Sequence, residues 1–176
     1  IELRGKTIGI IGFGRIGKEV ARIALGMGME VLAYDLYPSS PTITLKFHGN
    51  KEINLDVNFV DFDVLIAQSD FISLHTPFSE KPLLSKDTFG TMKSGVGIVN
   101  CSRGGIINED DLIEALNSGK VSFAGLDVFE NEPVPSSAIL NHPKISLSPH
   151  IGASTNEAQE RIGTELAELI IAHFKG

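Results

Sequence analysis

Thr7-Ile8-Gly9-Ile10-Ile11-Gly12-Phe13-Gly14-Arg15-Ile16-Gly17 is the stretch that decides the fold. A short apolar run stops at Gly12, and from Arg15 to Met27 the period becomes helical, with Ile16, Val20, Ile23 and Ala24 on one stripe. A second apolar run, Glu30 to Tyr34, leads to Asp35. The spacing G-x-G-x-x-G at Gly12, Gly14 and Gly17 is weak alone in a chain with 18 glycines. Between a strand and a helix, with an acid about 20 residues further on, it is the pattern of a dinucleotide-binding βαβ unit.

Each position carries its own physical reason. Gly12 allows the tight turn, Gly14 lets the backbone approach a pyrophosphate, and Gly17 lets the helix lie close on the strand. The helix N-terminus offers unpaired N–H groups and a positive dipole end to phosphates, Arg15 can add a cation, and Ile16 sits between them and Gly17 in the same cofactor-contacting turn. Asp35 suits the hydroxyls of an adenosine ribose and repels a 2'-phosphate, while Leu36 and Tyr37 offer no cation, so NAD is expected rather than NADP. The plainer alternative is that the glycines serve only a tight turn and Asp35 only ends a strand.

Outward from this unit, the same alternation repeats. Further strands are expected at Phe71 to Leu74, Gly97 to Asn100, Ser122 to Leu126 and Lys144 to Leu147, all apolar rather than alternating, as suits strands covered on both faces. Glu109 to Ser118 reads as a helix with Leu112, Ile113 and Leu116 inward, Asn108 as its N-cap and three acids in its first turn. A last helix runs to the chain end, with Ser154 and Glu157 as a capping box and Ala158, Ile162, Leu166, Leu169 and Ile170 on one face. Pro38 to Asn58 has turn formers and no sustained period, and reads as a long surface excursion. The fold class is therefore α/β: a Rossmann-type doubly wound parallel sheet with helices on both faces, one domain over residues 1–176.

Composition agrees. The chain has 176 residues, 42% hydrophobic and 21% charged, which is globular. Fifteen Lys and Arg against 22 Asp and Glu give a net charge of −7, a poor surface for a nucleic-acid backbone. No apolar run reaches the length of a membrane span, and the single Cys101 cannot form an internal disulfide, so a cytoplasmic protein is expected. The sequence opens on Ile1 rather than Met, which suggests a fragment.

Three side chains are candidates for chemistry. Arg103, in Cys101-Ser102-Arg103-Gly104-Gly105, follows a strand end, where open α/β sheets place their ligands; it could grip a carboxylate or be a surface arginine. His150, in Ser148-Pro149-His150-Ile151-Gly152-Ala153, also follows a strand end, and imidazole can exchange a proton near neutrality, although a lone histidine before a helix is often a cap. Glu132, before Pro133, would favour the imidazolium if it touches His150. His75 could border a cofactor or be structural, His48, His142 and His173 are expected to face solvent, and Cys101 to be a small packed side chain. No metal site is expected.

The sequence resembles the NAD-binding domain of the D-isomer-specific 2-hydroxyacid dehydrogenases along nearly its whole length. Four ordered motifs carry this: Gly5 to Gly17, Asn100 to Gly105, Leu126 to Pro133 and Ser148 to Gly152. The resemblance implies that Arg103 binds the carboxylate of a 2-hydroxy or 2-keto acid and polarises its keto oxygen, and that Glu132 pairs with His150, the acid/base. It implies further that Thr76, Pro77, Cys101, Ser102, Arg103, Asp127, His150, Ile151, Gly152 and Ala153 line the nicotinamide side. The segment His150 to Gln159 is most similar to the phosphoglycerate dehydrogenase branch, which serves serine biosynthesis; glycerate, glyoxylate or D-lactate types and NAD-sensing corepressor-like proteins are the alternatives. Family members build a substrate lobe from segments outside this chain and are homodimers or homotetramers, so the domain alone is expected to bind NAD with little turnover. Pro38 to Asn58 is longer than the family's connection.

Overall fold

The structure, a computed structural model, describes residues 1–37 and 40–175. In chain order the elements are β1 (Thr7–Ile11), α1 (Arg15–Gly26), β2 (Glu30–Tyr34), β3 (Thr42–Phe47), β4 (Lys51–Asp56), β5 (Asn58–Phe59), α2 (Phe62–Gln68) and β6 (Phe71–Leu74). There follow α3 (Lys86–Thr91), β7 (Val96–Asn100), α4 (Glu109–Ser118), β8 (Val121–Leu126), α5 (Ser137–Leu140), β9 (Ile145–Leu147) and α6 (Asn156–Lys175). Seven strands form one sheet in the order β5-β2-β1-β6-β7-β8-β9, every pair parallel. The chain winds outward from β1 in both directions, so the crevice between the C-terminal ends of β1 and β6 is the topological switch point where such sheets bind ligands.

One face of the sheet carries α2 to α5 over a core of Leu65, Ile72, Leu74, Ile98, Leu112, Leu116 and Ala124. The other carries α1 over Ile10, Phe13, Ala21, Ala24, Val31 and Ala33. The helix α1 does not bury the stripe its larger residues suggest: Gly17, Ala21 and Ala24 face the sheet, while Ile16 and Ile23 are exposed. The cause is close approach. A Cβ on Gly17 would lie 2.2 Å from the carbonyl oxygen of Gly12, so only small residues fit beneath this helix.

Two further expectations are corrected. The stretch read as a surface excursion is an antiparallel hairpin of β3 and β4, turning at Gly49-Asn50, with Pro38 and Ser39 outside the described residues. Ile43, Leu45 and Phe47 alternate with Thr42, Thr44 and Lys46, which gives the hairpin one polar face, with Thr42 bonded to Asp56 and Thr44 to Asn54 across the strands. On the other face Ile43 is buried against the α1 side of the core. The last helix begins later than expected, and Thr155 rather than Ser154 accepts the N–H of Ala158. Its apolar face is not covered: among the described residues of α6 none is buried. The expected α4 forms as read, capped by Asn108, whose Oδ1 accepts the Asp111 N–H at 2.9 Å.

Candidate functional site

The glycine turn leaves β1 and presses against the exit of β6. Gly12 has φ +93°, and a Cβ there would lie 2.4 Å from the carbonyl oxygen of His75, so both backbone conformation and space require glycine. At Gly14 the opposite holds: a Cβ would meet nothing within 4 Å. That open cradle sits at the N-cap of α1, whose first turn contains no acid and whose N-cap Gly14 makes no side-chain cap hydrogen bond. The N–H groups there are free to meet an anion. Beside Gly12, the buried Thr76 Oγ1 has no protein partner among the described residues, an orphaned polar atom that a bound molecule could satisfy. Pro77 follows it, exposed.

Asp35 stands at the end of β2, its Oδ2 accepting the Phe13 N–H at 2.7 Å and its Oδ1 the Tyr37 N–H at 2.8 Å. It borders a hollow of about 460 Å³ lined by Tyr34, Phe59, Val60, Asp61 and Val64, which suits an adenosine. The sequence reading missed these last four residues, because β5 is only two residues long and leaves no periodic signal. Arg15, expected to add a cation at the cradle, is paired with α6 instead: its Nη1 meets Glu165 at 3.0 Å.

After β7, Asn100 organises the turn that bears Arg103. This buried amide accepts the Ser102 N–H and Oγ–H through Oδ1 and donates to the Arg103 carbonyl through Nδ2. The Arg103 side chain is left exposed, with one bond, from Nη1 to the Ser102 carbonyl. Cys101 is exposed and not packed as expected, because Asn100 and Ser102 take the inward positions. Although the residue is exposed, partial desolvation of its thiol, and after it the charge of Asp127, holds its pKa above the ordinary cysteine value.

After β8 and β9, two carboxylates hold the histidine turn. His150 Nδ1 lies 2.7 Å from Glu132 Oε2, and Glu132 Oε1 accepts the Phe129 N–H at 3.0 Å. The bond to His150, then that from Phe129, keeps Glu132 below the usual glutamate range. His150 is one of two non-glycine residues described with positive φ, at 54°. That conformation is held by Asp127, a buried carboxylate accepting Ser148 Oγ–H at 2.6 Å, Ile151 N–H at 2.9 Å and Gly152 N–H at 2.8 Å. Burial alone would raise its pKa, but these three bonds and the charge of His150 outweigh it and lower the value. Gly152 also lies against Cys101, so the turns after β7, β8 and β9 meet, with Ala153 exposed beyond them. A groove of about 480 Å³ opens beside Glu132 and His150, walled by Phe129, Pro135, Leu140 and Leu147.

His75 is half-buried, with Nε2 2.8 Å from Ser73 Oγ, and its burial holds its pKa below the ordinary histidine value. His48 and His173 are exposed, whereas His142 is partly covered and sits 3.3 Å from Asn117 Oδ1. Among the described residues no group of His, Cys, Asp and Glu could hold a metal ion, and no helix is long and apolar enough to cross a membrane.

Residues 1–152 match the family described as D-isomer specific 2-hydroxyacid dehydrogenase, NAD binding domain. The chain belongs to this family. It is an NAD-binding domain of the D-2-hydroxyacid dehydrogenases, and the open cradle at Gly14, the acid at Asp35 and the unpartnered Thr76 Oγ1 fit that cofactor. A hydroxypyruvate reductase of Thermotoga maritima is 49% identical over 96% of this chain and 53% of its own length. A D-3-phosphoglycerate dehydrogenase of Bacillus subtilis is 41% identical over 99% of the chain and 32% of its own length. The crystal structure of a glyoxylate reductase from Paecilomyes thermophila superposes with a TM-score of 0.81 at 38% identity, over 93% of this chain and 48% of that one. The dehydrogenase domain thus spans about half or less of the relatives it matches.

Proposed function

We propose that the protein carrying this domain is an NAD-dependent dehydrogenase of D-2-hydroxy acids, with 3-phospho-D-glycerate as substrate. The observation that carries the reaction class is the 2.7 Å contact between Glu132 and His150 at the carboxyl end of the sheet, beyond β8 and β9. Arg103, exposed beyond β7 with most of its guanidinium donors free of protein partners among the described residues, grips the substrate carboxylate and polarises the oxygen on C2. His150 takes the hydroxyl proton through Nε2, since Nδ1 is committed to Glu132, and Glu132 balances the charge of the imidazolium. Asp127 fixes the turn, so the ring presents one orientation. When bound, NAD supplies the acceptor for the hydride that C2 loses. Read in the other direction, His150 returns the proton to a keto oxygen.

The phosphoglycerate assignment is supported by the segment His150 to Gln159 and by relatives of that name. A second reading, reduction of hydroxypyruvate or glyoxylate, is favoured by the 49% identical relative. In either case the substrate lobe, the cytoplasmic location and a homodimeric or homotetrameric assembly belong to the whole protein. Steady-state oxidation of NADH by the full-length protein with 3-phosphohydroxypyruvate, hydroxypyruvate, glyoxylate and pyruvate separates the substrates. Absence of turnover with every one of them would reject the enzymatic reading in favour of an NAD-sensing role.

A further inference from the structure

Glu109 is the first residue of α4, and it is buried, 7% exposed. Nothing in the proton transfer uses it. Its Oε1 accepts the Glu130 N–H at 2.8 Å, and in return Glu130 Oε1 accepts the Glu109 N–H at 2.9 Å. The exchange joins the N-terminus of α4 to the loop after β8 by two charge-assisted bonds. Asn108 caps the same helix at the Asp111 N–H, so Glu130 serves a separate donor, the Glu109 N–H.

The other side of the same loop leads to the acid/base pair. One residue before Glu130, the Phe129 N–H donates to Glu132 Oε1, whose second oxygen meets His150. Opposite, Gly104 packs so tightly on the Phe129 carbonyl that a Cβ would overlap it, at 1.7 Å. The peptide between Phe129 and Glu130 is therefore held from one side by the turn carrying Arg103 and from the other by Glu109. Burying a carboxylate is costly: burial raises the pKa of Glu109, with Glu130 and Asp110 adding in the same direction and the Glu130 N–H opposing them. A neutral residue would avoid that cost if only packing mattered.

We infer that Glu109 and Glu130 form a clasp that positions Glu132 against His150, making Glu109 a positioning residue for the acid/base step. The inference rests on the reading of Glu132 and His150 as that couple. Glu109 acts through the backbone of Phe129, from the Glu130 N–H that it holds to the Phe129 N–H that holds Glu132, and touches neither substrate nor cofactor. The groups facing this chain of contacts are Glu130 and Asp110 at one end and His150 and Asp127 at the other.

The test compares Glu109→Gln, which keeps a carbonyl acceptor for the Glu130 N–H, with Glu109→Ala, which removes it, both in the full-length protein. Two readouts are taken: the titration of the ¹³C-labelled Glu132 carboxyl and steady-state kinetics. In wild type and Glu109→Gln, Glu132 should titrate below the ordinary glutamate range; in Glu109→Ala it should move up. Turnover should fall about tenfold to hundredfold in Glu109→Ala, with the KM for NAD little changed, and return in Glu109→Gln, as expected when a reacting group is misplaced by an ångström or less. An unmoved Glu132 titration in folded Glu109→Ala would overturn the inference. If Glu109→Ala does not fold, Glu130→Gln and Glu130→Ala, at an exposed side chain, make the same comparison with the same expected and opposing outcomes. A wild-type protein that turns over no 2-hydroxy acid would remove the functional reading, and the carboxyl titration would still decide whether the clasp positions Glu132.

Discussion

His150 Nδ1 and Glu132 Oε2 are 2.7 Å apart, and the same carboxylate is tied through its other oxygen to the Phe129 N–H. Both bonds favour the ionised carboxylate, His150 more than Phe129, so the pKa of Glu132 is lower folded than unfolded. A depressed carboxylate contributes stability that is present above its unfolded pKa, about 4.3 for glutamate, and lost as pH falls through the folded value. Thermal melts should therefore show part of the acid destabilisation between those two values, and Glu132→Gln should show less of it. The same substitution should reduce turnover about 10²-fold, the lower end of general acid/base contributions, because an amide cannot balance the imidazolium.

Asp127 predicts a larger structural effect than its neighbour. Its carboxylate accepts three bonds from the Ser148 to Gly152 turn while buried. In Asp127→Asn one oxygen becomes an NH₂ facing an N–H, leaving buried donors opposed. A loss of about 1–3 kcal/mol is expected from an unsatisfied buried group, read by urea denaturation. Turnover should fall more than stability requires, because His150 holds a left-handed conformation only while that turn is fixed.

Much of the fold could be read from the sequence wherever local pattern and tertiary environment coincide. The six strands expected at β1, β2, β6, β7, β8 and β9 form within one residue of their expected ends, because each is a short apolar run bounded by turns or helices, even where one face stays open, as at Val99, Phe123 and Leu147. The hairpin of β3 and β4 does alternate, with Ile43, Leu45, Ile53 and Leu55 between polar residues, but each run is only six residues long and set among turn formers, so the alternation is a weak signal without its partner strand. The helix α1 misled for the reverse reason: its largest apolar residues point outward because Gly17 must touch Gly12. At the site, Arg103, Glu132 and His150 could be named by type and position, but the contact between Glu132 and His150 joins residues 18 apart and required the fold. The clasp of Glu109 and Glu130 left no sequence signal, since a glutamate in the first turn of a helix is ordinarily solvated.

Asp35 should set cofactor choice and hold the glycine turn together. Its two oxygens accept N–H groups from Phe13 and Tyr37, and each oxygen retains a lone pair for a ribose hydroxyl. Asp35→Ala is expected to weaken NAD binding by about tenfold to hundredfold, the value of a hydrogen bond to a charged group. It should also narrow the preference over NADP, because the repulsion of a 2'-phosphate disappears. Calorimetry with both cofactors measures the two effects, and an unchanged ratio would show that discrimination lies elsewhere.

The three glycines of the turn should separate when each is replaced by alanine. A Cβ at Gly17 would press on the Gly12 carbonyl at 2.2 Å, and one at Gly12 on the His75 carbonyl at 2.4 Å with φ at +93° besides. Both contacts are with backbone, which cannot swing aside as a side chain can. Each substitution should therefore destabilise the domain by about 1–3 kcal/mol or more, the usual cost of overpacking. Gly14→Ala has no such neighbour and an ordinary φ of −79°, so its melting temperature should stay near that of wild type. Its methyl group would instead fill the cradle at the N-terminus of α1, where the pyrophosphate must approach the backbone. NAD affinity should then fall sharply in a domain that remains as stable as before. If Gly14→Ala binds NAD as tightly as wild type, the phosphates do not lie over this turn.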